Sequence, residues 1–417
     1  MIATRLVKRY AALRRSIGFY PTIITSAFIV MAAGLFILDR SRAGDWFVEN
    51  FSAIAVRNND TARLITGTLI GGMISMMVFS FTMVMTTLSR AATSLSPRVV
   101  PGIISKRNHQ ITLGFNLGTI LFCILLTTRI AQDAPGATPP SIGIFIAILV
   151  SLINLVLFVV FIASISSSIQ VDKITEEIYR QTMMQLNSAL SHGTTYGAKS
   201  PPDTTIWHSI PAQQTGYFLS LDRADLTTLC FKHKVSIWVL VPHGQFIREG
   251  GSLMKISKPL DPALVGAILE CFTIDTQESS EDHYHFGLKK LTEIAVKALS
   301  PAINDPGTAI KCVDLFSVLI PKLMVLPDPL CVCDQQGQPR IWIVEPPLKD
   351  RLTETLMQIY HYGKADAVVT HRILECLFRI QSEVNGNPDI QSKISHIFSR
   401  SQRHLDGPMP AFKDYSL

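Results

Sequence analysis

Apolar and polar positions divide the chain into two unlike parts. Four apolar runs, about 18–38, 64–88, 111–129 and 142–165, fill the first part. Each is long enough to cross a bilayer as a helix, which takes about 20 apolar residues. After Ile165 the runs shorten. GYFLSL, VSIWVLVP and RIWIVEP read as strands, with LDRADLTTLCFKH a short helix between the first two, capped by Asp222. FIREGGSLMKI reads as a hairpin around Gly250-Gly251, and Asp261 and Pro262 open a further helix. From Phe286 the apolar positions Leu288, Leu291, Ile294, Ala295, Ala298 and Leu299 recur at helical spacing, as do those of 352–360 and 368–380.

The predicted fold class is a membrane α-helical unit of four transmembrane helices followed by a cytosolic α+β domain. Its predicted divisions are a transmembrane domain over 1–169, a stalk helix and linker over 170–206, a small β-rich subdomain over 207–275 and a mainly helical subdomain over 276–417. SISSSIQVDKITEEIYRQTMMQLNSAL reads as the stalk leaving the membrane, and SHGTTYGAKSPPDTT as the linker.

The second apolar run carries a finer pattern. No charge falls between Arg63 and Arg90, and at 100° per residue Thr68, Gly71, Ser75, Phe79, Thr82 and Thr86 share one stripe. A stripe of small and hydroxyl side chains in a span faces another helix or water. In the first case it packs against Gly114 and Gly118 of the third run, whose small-xxx-small spacing allows close backbone approach. In the second it lines a homo-oligomeric pore with Phe79 as the constriction. Asn116 and Asn154 are the notable polar residues of the four runs, and no Asp, Glu, Lys, Arg or His lies in their apolar cores. That absence argues against proton-coupled transport and leaves a passive pore open.

Charge sets an orientation. The 417 residues carry a net charge of +6, but 1–180 hold 16 Lys and Arg against 8 Asp and Glu, and the remainder 22 against 24. The basic excess thus belongs to the membrane part, which argues against nucleic acid as a partner. With both termini cytoplasmic, the inner flanks hold Arg5, Lys8, Arg9, Arg14 and Arg15 and the basic turn Arg90, Arg98, Lys106 and Arg107. The positive-inside rule favours that arrangement and predicts a bacterial inner membrane protein. The turn can attract anionic lipid. Seven cysteines without framework spacing agree with a reducing compartment.

One stretch names a family. ALSPAINDPGTAIKC places Pro301 after one helix and Asp305-Pro306 at the start of the next, so Ser300, Pro301, Asn304, Asp305 and Pro306 form a tight, capped corner. With SLSPRVV, GYFLSLDRADLTTL, PHGQFIREGGSLM, HFGLKKLTEIAVKALSPAINDPGTAIKCVDLF and IYHYGKADAVVTHRILECL, the chain resembles the bacterial predicted membrane proteins grouped as domain of unknown function 2254. Ala302 and Gly307 stand where that family commonly has Gly and Phe. The resemblance implies a four-helix membrane anchor with a cytosolic domain and carries no activity.

The usual catalytic signatures, GxxxxGK[ST], HExxH, GxSxG and GxGxxG after a strand, are absent from the sequence. No catalytic residue, cofactor or metal ligand is therefore assigned, and an enzyme is not expected. Glu281-Asp282-His283-Tyr284-His285 packs metal-type ligands into five residues but reads as a solvated connection. Cys331 and Cys333 share a strand face and read as packing. His361-Tyr362-Gly363 reads as a helix end. Two functions remain: a membrane-anchored sensor or scaffold whose cytosolic domain binds a partner or ligand, and a homo-oligomeric channel.

Overall fold

The computed structural model describes residues 18–39, 42–51, 55–94, 107–132, 139–168, 170–193, 203–276, 283–326, 330–333 and 338–383, with a few positions between 388 and 396. Two compact units emerge, one built on residues up to 170 and one on 171 onward.

The first unit contains α1 (Phe19–Asp39), α2 (Arg42–Asn50), α3 (Asn59–Ser94), α4 (Arg107–Gln132) and α5 (Ser141–Ser168). All but α2 are long and apolar enough to cross a membrane. The helix α4 is the hub: half of its apolar window is buried, against 11% for α3. Gly114 and Gly118 make the close approach possible, but with α1. A Cβ on Gly114 would meet Pro21 and Ile24 at 3.0 Å, and one on Gly118 would meet Phe28 at 2.6 Å. This corrects the expectation that they receive the stripe of α3. Instead α3 buries Thr66, Met73, Ser80 and Thr87, seven residues apart, and leaves all six stripe positions exposed. Phe79 packs edge-on to Phe158 at 5.8 Å while staying half exposed.

The second unit opens with α6 (Val171–Gly193) and continues β1 (His208–Pro211), β2 (Gly216–Leu221), α7 (Arg223–His233), β3 (Ile237–Val239), β4 (Phe246–Ile247), β5 (Ser252–Ile256), α8 (Pro262–Leu269) and β6 (Phe272–Asp275). Then come α9 (Tyr284–Ala298), α10 (Pro306–Val325), β7 (Leu330–Cys333), β8 (Pro339–Ile343), α11 (Leu348–Leu352), a π-helical turn at Thr353–Met357, α12 (Gln358–Gly363) and α13 (Ala367–Glu383). One sheet runs β1-β5-β3-β8-β7, and a smaller one runs β4-β2-β6. Phe218, Ile247 and Phe272 of the small sheet meet Ile237, Val239, Ile256, Ile341 and Ile343 of the large one in a single core.

The α+β domain departs from the sequence pattern in three places. The 207–275 and 276–417 subdomains are not separate, because β8 pairs in parallel with β3 and inserts the late strands into the early sheet. The Gly250-Gly251 segment is not a hairpin: β4 pairs with β2, while β5 pairs with β1 and β3, so the chain crosses between sheets there. Gly250 takes φ +82°, a value that suits glycine. Finally, α6 is no free stalk. It packs on α9 and α10, and Gly287 lets α9 approach Thr182 closely enough that a Cβ would clash. Lys311 donates to Asp172 at 2.7 Å on the same helix.

Candidate functional site

The parallel pair β3 and β8 sits in the middle of the large sheet, with Val239 opposite Ile343. Parallel strands end on the same edge, and α/β ligands gather beyond such carboxyl ends. Here the two extensions carry His243, between Pro242 and Gly244, and Glu345, ahead of Pro346-Pro347. Gly244 has φ +85°, and a Cβ there would run into the His285 ring. His283 enters from the start of α9, where its Nδ1 accepts from the His285 N–H at 3.3 Å.

The side chains form a stack. His243 lies 3.8 Å from His283 with the rings 8° apart, Phe218 covers the other side of His243 at 4.6 Å, and Tyr284 lies 4.2 Å from His283. The Arg351 guanidinium sits over the Tyr284 ring at 5.8 Å. Glu345 is held from one side: its Oε2 accepts from Tyr284 OH at 2.7 Å and from Arg351 Nη2 at 3.2 Å. Arg351 Nε donates to the Pro346 carbonyl at 2.7 Å. The other oxygen, Oε1, faces both imidazoles, 3.9 Å from His243 Nδ1 and 4.0 Å from His283 Nε2. Phe218, His243, His283, Tyr284, Glu345 and Arg351 are all buried.

Burial governs the electrostatics. It pushes His243 down to about 3, with Arg223 and His285 adding to the shift, and holds His283 well below the ordinary histidine value. Burial and the adjacent Glu345 carboxylate push the Tyr284 phenol well above its usual value. Both imidazoles are therefore neutral at pH 7, and Tyr284 keeps its proton. A cavity of about 480 Å³ adjoins the stack, lined by Gln185, Ser188, Ser220, Arg223, His243 and His283 among others. A second of about 560 Å³ is lined by His243, His285, Lys289, Glu345, Arg351 and Thr355 among others. Two neutral imidazoles facing a positioned carboxylate can bind a cation or hydrogen-bond a polar ligand.

The residues singled out in sequence fare unequally. Glu281 and Asp282 lie outside the described residues, but His283 and Tyr284 are buried, not solvated, because α9 begins there and turns Phe286, Leu288 and Leu291 into the core. His283 caps the helix and the His285 ring abuts Gly244. At the signature corner Asp305 accepts from the Thr308 N–H at 3.1 Å and hydroxyl at 2.6 Å, and Ser300 donates to Lys297 at 2.7 Å, so the corner is a brace. Its left-handed residue is Asn304 at φ +48°, and Ala302 is not strained. Cys331 and Cys333 pack with Trp342, Trp207 and Trp238. Gly363 serves close packing: a Cβ there would meet Val369 at 2.7 Å. In the basic turn, Arg90 lies exposed on α3 and Arg107 opens α4, while Arg98 and Lys106 fall outside the described residues.

His243, Glu345 and Arg351 were not singled out. A signal was present for two of them. VSIWVLVPHG and RIWIVEPP each run a continuous apolar strand, the mark of a buried parallel strand, into one polar residue beside a proline.

Four helices apolar enough to cross a membrane, followed by an α+β domain with a buried polar cluster, define the class of a multi-helix membrane protein. The chain belongs to the family described as predicted membrane protein DUF2254, whose profile matches residues 14–379. Relatives include uncharacterized proteins of Mycobacterium bovis and Mycobacterium tuberculosis, each 23% identical over 346 residues, covering 79% of this chain. The chain spans 65% of the length of those relatives. No solved structure matches it.

Proposed function

We propose that the protein is a membrane-anchored sensor in the bacterial inner membrane, with both termini cytoplasmic, whose α+β domain takes a small ligand at the His243–His283–Glu345 site. One observation carries this reading. The helix that lines the 480 Å³ cavity through Met184, Gln185, Ser188 and Ala189 is α6, which starts at Val171, just after the fourth apolar helix ends at Ser168. Occupancy that shifts α6 therefore has a covalent route to the membrane unit. The test is hydrogen–deuterium exchange of the full chain in lipid nanodiscs, comparing wild type with the cavity-filling variant Ser188→Trp. The expected result is altered protection running from 171–193 into 141–168. Changes confined to the α+β domain would overturn the sensor reading.

The homo-oligomeric channel keeps one supporting observation, the exposure of the α3 stripe in the single chain, where Phe79 is half covered. Ion flux from liposomes that depends on Phe79 would favour it over the sensor.

A further inference from the structure

We infer that His243 Nδ1, His283 Nε2 and Glu345 Oε1 bind a divalent first-row transition cation of the zinc type, which names the ligand class for the sensor reading above and rests on it. The three ligand atoms lie within 4.8 Å of one another, and all three residues are buried. Both imidazole nitrogens are buried with no hydrogen-bond partner among the described residues. Orphaned polar atoms of that kind are rare in folded interiors, and here two converge on one carboxylate oxygen. Tyr284 and Arg351 hold the other oxygen at 2.7 and 3.2 Å, which is how carboxylate ligands are usually oriented by the groups behind them.

The three ligand atoms, within 4.8 Å of one another, must close in for coordination. Zinc bonds to nitrogen and oxygen of about 2.0–2.2 Å imply neighbouring ligands roughly 3.3–3.5 Å apart in a tetrahedron. The two histidine–carboxylate separations of 3.9 and 4.0 Å are about half an ångström longer. Closing them tilts the imidazoles out of their parallel stack, and the cavities beside His243 give room for that tilt. His283 must also carry its proton on Nδ1, giving up the 3.3 Å contact from the His285 N–H. That contact is long for a hydrogen bond, so the loss is small. Two imidazoles and one carboxylate suit zinc, cobalt, nickel or iron better than magnesium or calcium, which prefer all-oxygen sites. Three protein ligands leave a fourth position open, as in catalytic-type metal sites, and His243 lines both cavities.

The test is Co²⁺ and Zn²⁺ uptake by the full-length protein, purified in detergent and stripped with a chelator, with Mg²⁺ as the control. Wild type is expected to take one Co²⁺ per chain with the visible absorption of a four-coordinate site, and Zn²⁺ should displace it. His243→Gln and Glu345→Gln, which keep size and most packing, should each weaken binding by more than about tenfold, and Tyr284→Phe by about tenfold. Cys331→Ser should bind like wild type. Folding of each variant is checked by circular dichroism. No saturable uptake by folded wild type, or undiminished uptake in both folded ligand variants, overturns the metal assignment. That outcome is separable from failure of the sensor reading, because the exchange experiment uses a side chain, not a metal, to fill the cavity.

Discussion

In the helical unit the buried polar side chains are scattered singly along the helices, whereas the α+β domain gathers its buried charge at one point. Asn154 donates weakly to Thr119 at 3.4 Å and to the Met73 sulfur at 3.3 Å, and Asn116 has neither amide atom paired among the described residues. Several hydroxyls of the unit fold back onto their own helix: Thr68, Ser75, Thr82 and Thr86 each donate to the carbonyl four residues earlier, at 2.7–2.9 Å. At the other site a carboxylate, a guanidinium, a phenol and two imidazoles share one buried stack. The difference teaches where specificity resides. The helices associate by shape, and the α+β domain commits electrostatic free energy to one geometry.

The comparison breaks most easily at Glu345. Glu345→Ala leaves Arg351 charged, buried and without its carboxylate, and breaking a buried pair costs about 3–5 kcal/mol. Asn154→Ala should cost no more than about 1–2 kcal/mol, the upper range for hydrogen bonds between membrane helices. Denaturant unfolding in detergent measures both. Trp207, Trp238 and Trp342 report the α+β domain, and Trp46 the helical unit. Equal costs at the two sites would dissolve the contrast.

A second test asks whether the two units share packing tolerance. Gly287→Ala and Gly118→Ala each put a Cβ into a neighbouring side chain, Thr182 in one case and Phe28 in the other. Overpacking of this kind costs about 1–3 kcal/mol. Thr182→Ala should rescue most of the Gly287→Ala loss in a double-mutant cycle, because the clash is with the Thr182 side chain itself. If it does not, α6 and α9 are not in the contact described.

The α+β domain should also show an alkaline limit. Burial pushes the thiols of Cys230, Cys312 and Cys376 up to about 12, above the ordinary value of 9.0. Between pH 9 and 12 the unfolded chain releases these protons and the folded chain does not, so stability is full below pH 9 and declines as pH rises through that window. Replacing the three by alanine should flatten the decline, measured by thermal midpoints from pH 8 to 11.

Much of this was legible in the letters. Uncharged runs of span length predict long apolar helices, and four helices long and apolar enough to cross a membrane lie within a few residues of them. Asp222 and Asp305 act locally, each accepting from the backbone N–H three residues on, so their roles follow from spacing alone. The site was not legible, because nothing local pairs residues 243, 283 and 345. Only the parallel pairing of β3 with β8, across a hundred residues of chain, brings the first and last of them to one edge. The partner of Gly114 and Gly118 was hidden for a similar reason. Their spacing announces a close helix contact without saying which helix makes it, and α1 presents Pro21, Ile24 and Phe28 there.

The smallest expected effect is the most informative about α3. Its stripe hydroxyls already hold backbone carbonyls, so none requires water or a neighbouring helix, and a Cβ on Gly67, Gly71 or Gly72 would meet nothing within 4 Å. Thr82→Val removes a hydroxyl bonded only to its own turn, and Ser75→Trp adds bulk where the chain offers no obstacle. If the stripe faces lipid, both variants should keep the unfolding free energy within about 0.5 kcal/mol of wild type, as surface substitutions do, and elute at unchanged size. If copies of the chain associate through the stripe, Ser75→Trp shifts the elution volume while Thr82→Val does not, because bulk, and not the loss of a satisfied hydroxyl, is what a close helix contact rejects.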